Sequence, residues 1–140
     1  MAEYCTKKVA VIFVIKEGDE YLFQKRIHTG TQDGWYMMPG GHVDEGESVL
    51  HAAVRELKEE LNIDVLPNDL KFKLVKPEKS HISFFFEVTK YQGEIKNNEP
   101  EKHGDLRFLP ISCPEIYPSI TCEVKAIEKG EDFLEMTSDI

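Results

Sequence analysis

Gly41-His42-Val43-Asp44-Glu45-Gly46-Glu47-Ser48-Val49-Leu50-His51-Ala52-Ala53-Val54-Arg55-Glu56-Leu57-Lys58-Glu59-Glu60-Leu61-Asn62-Ile63 is the stretch from which the rest of the chain is read. From Ser48 to Leu61 the pattern is helical. Leu50, Val54, Leu57 and Leu61 recur at spacings of four, three and four, forming one apolar stripe with Ala53 beside it. Glu45 and Glu47 precede the helix, where negative charge suits the positive end of its dipole. Asn62 follows the last apolar position, and Asn tolerates the left-handed backbone that ends a helix. At about 100° per residue, Glu56, Glu59 and Glu60 fall on an arc just outside the stripe. Residues three and four apart are helix neighbours, so the spacing predicts that these carboxylates converge. Like charges that close destabilise a helix unless something offsets them. A divalent cation does so naturally: Mg²⁺ prefers oxygen ligands and uses a few carboxylates with waters and substrate phosphates. Such an ion neutralises phosphate charge and lowers the pKa of a bound water, and a nearby carboxylate can take that water's proton. Arg55 is spaced to restrain Glu56 or Glu47 through charge-assisted hydrogen bonds, and the small Ala52 leaves room one turn before Glu56. Without its surroundings, an E-x-x-E-E pattern reads as a solvated helix face.

Outward from this helix, toward the N-terminus, Trp35–Met38 reads as a short strand that stops at Pro39-Gly40-Gly41. His28–Gly34 is a polar loop. Lys8–Lys16 is a β-branched run that reads as a buried strand, with Gly18-Asp19 as a turn and Tyr21–Arg26 as its hairpin partner. Beyond the helix, strands are expected at Leu70–Val75, Ile82–Thr89 and Leu106–Leu109. A second helix is expected over Ile120–Lys129, with Glu131–Ile140 a flexible tail. Strands and helices mix without regular βαβ alternation, so the fold class is α+β.

The 140 residues suit one domain, residues 1–140, and 41% hydrophobic with 31% charged is ordinary for a soluble protein. No apolar run approaches the roughly 20 residues of a membrane helix, and the first residues lack a signal-peptide layout. Cys5, Cys113 and Cys122 are scattered and form no C-x-x-C pair, as expected of reduced thiols in a cytoplasmic protein. The net charge of −9 disfavours a long nucleic acid as partner but leaves open a small phosphate ester whose charge a cation masks. The expected assembly is a monomer or a homodimer.

The quoted stretch resembles the Nudix box, G-x5-E-x7-R-E-U-x-E-E-x-G-U with U aliphatic. Gly41, Glu47, Arg55, Glu56, Leu57, Glu59, Glu60 and Ile63 match, and Asn62 stands where the box has its second Gly. The aromatic-led Trp35-Tyr36-Met37-Met38-Pro39-Gly40-Gly41 also resembles the strand that precedes the box in that family. The resemblance implies an α/β/α sandwich with a mixed sheet, and hydrolysis of a nucleoside diphosphate linked to another group. It implies Glu56, Glu59 and Glu60 as Mg²⁺ ligands, Mn²⁺ being able to substitute, with the Gly40 carbonyl a further ligand. Glu47 and Arg55 would position the helix carboxylates, and Glu56 is the candidate general base.

The box does not reveal the substrate. Arg26, Trp35, Gly41 and Phe84 are the candidate substrate contacts, with Lys25 and the His28–Gly34 loop nearby in sequence. Aromatic faces accept any base, so Trp35, Phe84, Phe85 and Phe86 can stack on one, burial in the core being the competing use. Phe84 and Phe86 share one strand face and Phe85 takes the other. Glu99 and Glu101, in a turn-rich segment, are candidates for an additional acidic ligand or base; His42 and His103 are weaker ones. The short chain is most similar to compact nucleoside-triphosphate pyrophosphohydrolases, which release a nucleoside monophosphate and pyrophosphate. Hydrolysis of ADP-ribose or a nucleotide sugar is the alternative, Pro77 being a weak pointer to ADP-ribose. A non-catalytic, nucleotide-sensing module is disfavoured because such modules usually lose box carboxylates and every one is present here.

Overall fold

The computed structural model describes residues 3–136. Its strands are β1 (Lys8–Val14), β2 (Lys16–Glu17), β3 (Glu20–Arg26), β4 (Tyr36–Met37), β5 (Gly40–His42), β6 (Leu70–Pro77), β7 (His81–Val88) and β8 (His103–Pro110). Its helices are α1 (Val49–Leu61) and α2 (Pro118–Glu128). A continuous apolar run such as β1 needs cover on both faces. It lies inside a four-stranded mixed sheet of order β5-β1-β7-β6, antiparallel to β5 and parallel to β7. A second sheet forms around β3, which pairs antiparallel with β2, β4 and β8.

Alternation along β1 divides the core in two. Val11, Phe13 and Ile15 join Ala53, Leu57, Leu61, Ile63 and Phe86 on the α1 side. Val14 joins Phe23, Leu74, Phe85, Ile120 and Val124 on the α2 side. The result is the expected α+β sandwich with a mixed sheet between helices, its strands divided over two sheets.

The ends of α1 follow their residues. Ser48 Oγ accepts a hydrogen bond from the His51 amide at 3.1 Å. Asn62 sits at φ 61° and ψ 30°, the left-handed stop read from the sequence, and its amide donates to the last-turn carbonyls of Leu57 and Lys58. The buried face of α1 is rotated from the expected stripe. Ala52, Ala53, Leu57, Glu60 and Leu61 are buried, whereas Leu50 is 42% exposed. Ala53, Leu57 and Leu61 share the core cluster of Val11, Phe13 and Phe86, and Leu50 in the first turn is outside it.

Some boundaries differ from the sequence expectation. Gly40–His42, read as a stop, is a strand on the edge of β1, and β8 begins at His103 rather than Leu106. The segment expected to fray instead runs beside β6. The Val75 amide donates to Asp132 O at 2.9 Å and the Leu134 amide to Val75 O at 3.0 Å. Residues 137–140 lie outside the described residues.

Candidate active site

Arg55 organises the acidic face of α1. A guanidinium carries five N–H donors in a fixed fork, and all of Arg55's are engaged. Nε and Nη2 grip Glu47 at 2.7 and 2.8 Å. Nη1 donates to Glu56 at 2.9 Å and Glu59 at 3.1 Å, and Nη2 also donates to His42 O at 3.1 Å. Glu47 accepts further bonds from the Asp44 amide at 3.0 Å and His51 Nδ1 at 2.8 Å. Its hydrogen bonds from Arg55, above all, hold its carboxyl well below the usual carboxylate range. Bonding to Glu47 pushes the Arg55 guanidinium still higher. The repulsion read from the sequence is therefore offset in part by the protein itself.

Glu56 is half-sheltered, and burial pushes its carboxyl up despite Arg55. Its carboxylate packs directly on Gly41, where a Cβ would lie 2.3 Å from Glu56 Oε2. The neighbouring Gly40 has another constraint, since a Cβ there would lie 2.5 Å from the Val11 carbonyl oxygen. The Pro-Gly-Gly sequence lets α1 approach β5 closely.

Glu60 turns inward. It is 7% exposed, so it lies within the buried face and not outside the apolar stripe. Burial pushes its carboxyl up, opposed by His103 and the Gly40 amide. Among the described residues, Glu60 Oε2 and His103 Nδ1 are buried polar atoms without a hydrogen-bond partner. Glu60, Glu99 and His103 each offer a ligand atom within 4.8 Å of the others. The three helix carboxylates thus divide: Glu56 and Glu59 share one nitrogen of Arg55, and Glu60 faces Glu99 of the loop before β8 and His103 at the start of that strand.

That loop is tied to the helix. The Asn98 amide donates to Glu60 O at 3.0 Å and the Lys96 amide to Leu61 O at 2.9 Å, satisfying carbonyls that a helix end leaves orphaned. Asn97 Nδ2 binds the carbonyls of His103 at 2.6 Å and Gly104 at 2.9 Å, and the His103 amide binds Glu99 O at 3.0 Å. Glu99 and His103 are therefore held together. Glu101 is exposed and outside this group.

A cavity of about 320 Å³ opens over Glu60, lined also by Gly40, Gly41, Arg26, Lys102 and His103. A larger one, about 650 Å³, adjoins it and shares Ile12, Arg26, Met37, Met38 and His42. Its far wall carries Phe85, Tyr117 and the buried pair Lys76–Glu123, whose Nζ and Oε2 are 2.7 Å apart. Burial pushes the Glu123 carboxyl up, opposed by Lys76.

The candidate substrate contacts separate accordingly. Arg26 faces both cavities, whereas Lys25 lies over the Tyr36 ring and pairs with Glu115. Phe84 packs against the α1-side core, so Phe85 is the ring of this strand that reaches a cavity. Trp35 stands edge-on to Tyr117, with ring centroids 5.8 Å apart. The sequence reading underweighted His103 and missed Asn97, Lys102 and the buried Gln24. Each is a single polar residue, Asn97 and Lys102 in the loop before β8, Gln24 on β3 and His103 at the start of β8, with no spacing pattern to mark it.

The donor set suits a divalent cation. Glu60 is a buried, partly unpartnered carboxylate with a second acid and an imidazole facing it, an arrangement that positive charge completes.

Comparison with known proteins bears on the family. The family model described as the NUDIX domain matches residues 6–117. The chain is 32% identical over 114 residues to an ADP-ribose pyrophosphatase of Methanocaldococcus jannaschii, covering 76% of this chain and 67% of that protein. It is 32% identical over 82 residues to an 8-oxo-dGTP diphosphatase of Proteus vulgaris, covering 57% of this chain and 70% of the relative. It is also 32% identical over 86 residues to the Nudix hydrolase YvcI of Bacillus subtilis, covering 56% of this chain and spanning about half, 53%, of that protein. A crystal structure of a MutT NUDIX hydrolase from Burkholderia pseudomallei superposes with a TM-score of 0.75 at 24% identity. That match covers 88% of this chain and 97% of the other, a likeness of fold. With the family model spanning most of its length, the chain belongs to the NUDIX domain family.

Proposed function

We propose that the protein hydrolyses the diphosphate linkage of a nucleoside diphosphate derivative in the presence of Mg²⁺, with Mn²⁺ able to substitute. The preferred substrate in this reading is a nucleoside triphosphate, cut to a monophosphate and pyrophosphate. The observation that carries the proposal is Glu60: an inward-turned carboxylate, short of a hydrogen-bond partner, beneath a cavity that also presents Arg26 and Lys102. Such a site suits a polyanion together with a cation and suits few neutral ligands.

Glu60, Glu59, Glu56, Glu99 and the Gly40 carbonyl are the oxygens available to hold the cation. When bound, a divalent ion screens phosphate charge and makes its water more acidic. Glu56, raised by burial and steadied by Arg55, is the candidate to take the proton as water attacks phosphorus and the bridging P–O bond breaks. Glu47 keeps Arg55 in place. Arg26 and Lys102 meet the outer phosphates, and the larger cavity takes the nucleoside, with Phe85 and Tyr117 in its wall.

Two cations around the smaller cavity favour further phosphates over a sugar beyond the cut bond. ADP-ribose is the second reading, favoured by the M. jannaschii relative that aligns over 76% of this chain. A panel of canonical and oxidised triphosphates, dinucleotides, ADP-ribose and nucleotide sugars, with product analysis, tests both. Release of pyrophosphate from a triphosphate supports the first, and release of ribose 5-phosphate supports the second. Binding of nucleotides without any phosphate product would leave only a sensing module.

A further inference from the structure

We propose that His103 is a nitrogen ligand of the metal site, and that the site consequently binds Mn²⁺ in preference to Mg²⁺. The inference rests on the metal-dependent reading above and deepens it. Glu60, Glu99 and His103 present ligand atoms within 4.8 Å of one another. His103 Nε2 lies 3.8 Å from Glu60 Oε1, too far for a hydrogen bond. Two ligands of one ion, each about 2.1 Å from it, lie up to about 4.2 Å apart, so the separation suits a shared cation.

Burial supplies an independent argument. The Glu60 side chain is more than nine-tenths buried, and its Oε2 has no hydrogen-bond partner among the described residues. The backbone fixes the group in advance. The Asn98 amide holds Glu60 O, the His103 amide holds Glu99 O, and Asn97 clamps the His103 carbonyl. The His103 main chain therefore cannot move without unmaking the turn that presents Glu99.

Mg²⁺ is held by oxygen and keeps several waters, whereas imidazole suits transition ions. Among those, Mn²⁺ also accepts the carboxylates, waters and phosphates that this cavity presents. One imidazole among carboxylates thus tilts the site from Mg²⁺ toward Mn²⁺ while keeping it fit for a diphosphate.

The test uses the full chain with metal alone. Mn²⁺ and Mg²⁺ are titrated calorimetrically into wild type, His103→Asn, His103→Gln and Glu60→Gln, and pulsed EPR of the Mn²⁺ forms reports directly bound nitrogen. Circular dichroism and thermal melting verify that each variant is folded. Wild type is expected to bind Mn²⁺ at least about tenfold more tightly than Mg²⁺ and to show a coordinated nitrogen. Both His103 variants should lose the nitrogen signal and about tenfold or more in Mn²⁺ affinity, with Mg²⁺ affinity changed less than about twofold. The proposal is overturned if wild type shows no bound nitrogen, if the signal survives in the variants, or if both affinities fall together, as for a residue that only orients Glu60. Failure of the underlying reading is distinguishable: wild type would bind neither ion, or Glu60→Gln would bind both as wild type does.

Discussion

Gly40 and Gly41 are adjacent in sequence, yet a methyl group on each meets a different obstacle. At Gly41 it meets the end of the Glu56 side chain, which can swing aside; at Gly40 it meets the backbone of β1, which cannot. Gly41→Ala should therefore lower turnover about 100-fold through misplacement of Glu56, with little change in melting temperature. Gly40→Ala should cost about 2 kcal/mol of stability, read from urea denaturation. The opposite separation, with Gly41→Ala unstable and active, would place the importance of Gly41 in packing. Glu60→Gln makes a related point. It should reduce turnover by a factor of about 1,000, equivalent to several kcal/mol of lost charge stabilisation. Yet the metal-free variant should be more stable than wild type by on the order of 1 kcal/mol, with a higher melting temperature, because a buried carboxylate has been made neutral. A lower melting temperature would mean that the Glu60 charge is already compensated by its neighbours.

At the scale of the element, α1 shows what periodicity conveys. Its limits and left-handed Asn62 were legible because each depends on local chemistry; the Ser48 cap was not read from the sequence. Asn62→Ala should cost about 1 kcal/mol because Ala lacks the short polar side chain that lets Asn tolerate left-handed backbone, while Asn62→Gly should be neutral or better; matched denaturation curves check this. The orientation of the helix was not legible. Counting apolar residues puts Leu50 in the stripe and Glu60 beside it, whereas the buried face is made of Ala52, Ala53, Leu57 and Leu61, and Glu60 goes in with them. Strand β5 was missed for a related reason: two glycines signal a turn, but here they permit close approach. Of the acidic candidates after β7, only geometry separates Glu99 from Glu101, since the loop's docking on α1 decides which one joins Glu60 and His103.

Across the whole molecule, the two halves of the second sheet are joined by the Tyr36 hydroxyl, which donates to Asp105 at 2.6 Å between β4 and β8. Burial and this bond raise Tyr36 from 10.0 to about 12. Its contribution to stability is therefore complete below pH 10 and lost as pH rises through about 12. The same bond, before other influences, lowers Asp105 from 3.8. The Asp105 contribution is present above pH 3.8 and lost as pH falls through the depressed value. Tyr36→Phe should lower stability by about 1 kcal/mol at neutral pH and flatten the alkaline limb of a stability-against-pH curve. An unchanged alkaline limb would assign that transition to another group. The complete engagement of Arg55 has a last consequence. With each N–H already spoken for, this guanidinium is mute toward an arriving phosphate, although it is the cation nearest the acids. In the proposed function, a chain of net charge −9 would then greet a nucleotide through Arg26, Lys102 and an accompanying metal ion. Mutating Arg55 should accordingly damage the speed of the reaction more than the grip on the nucleotide.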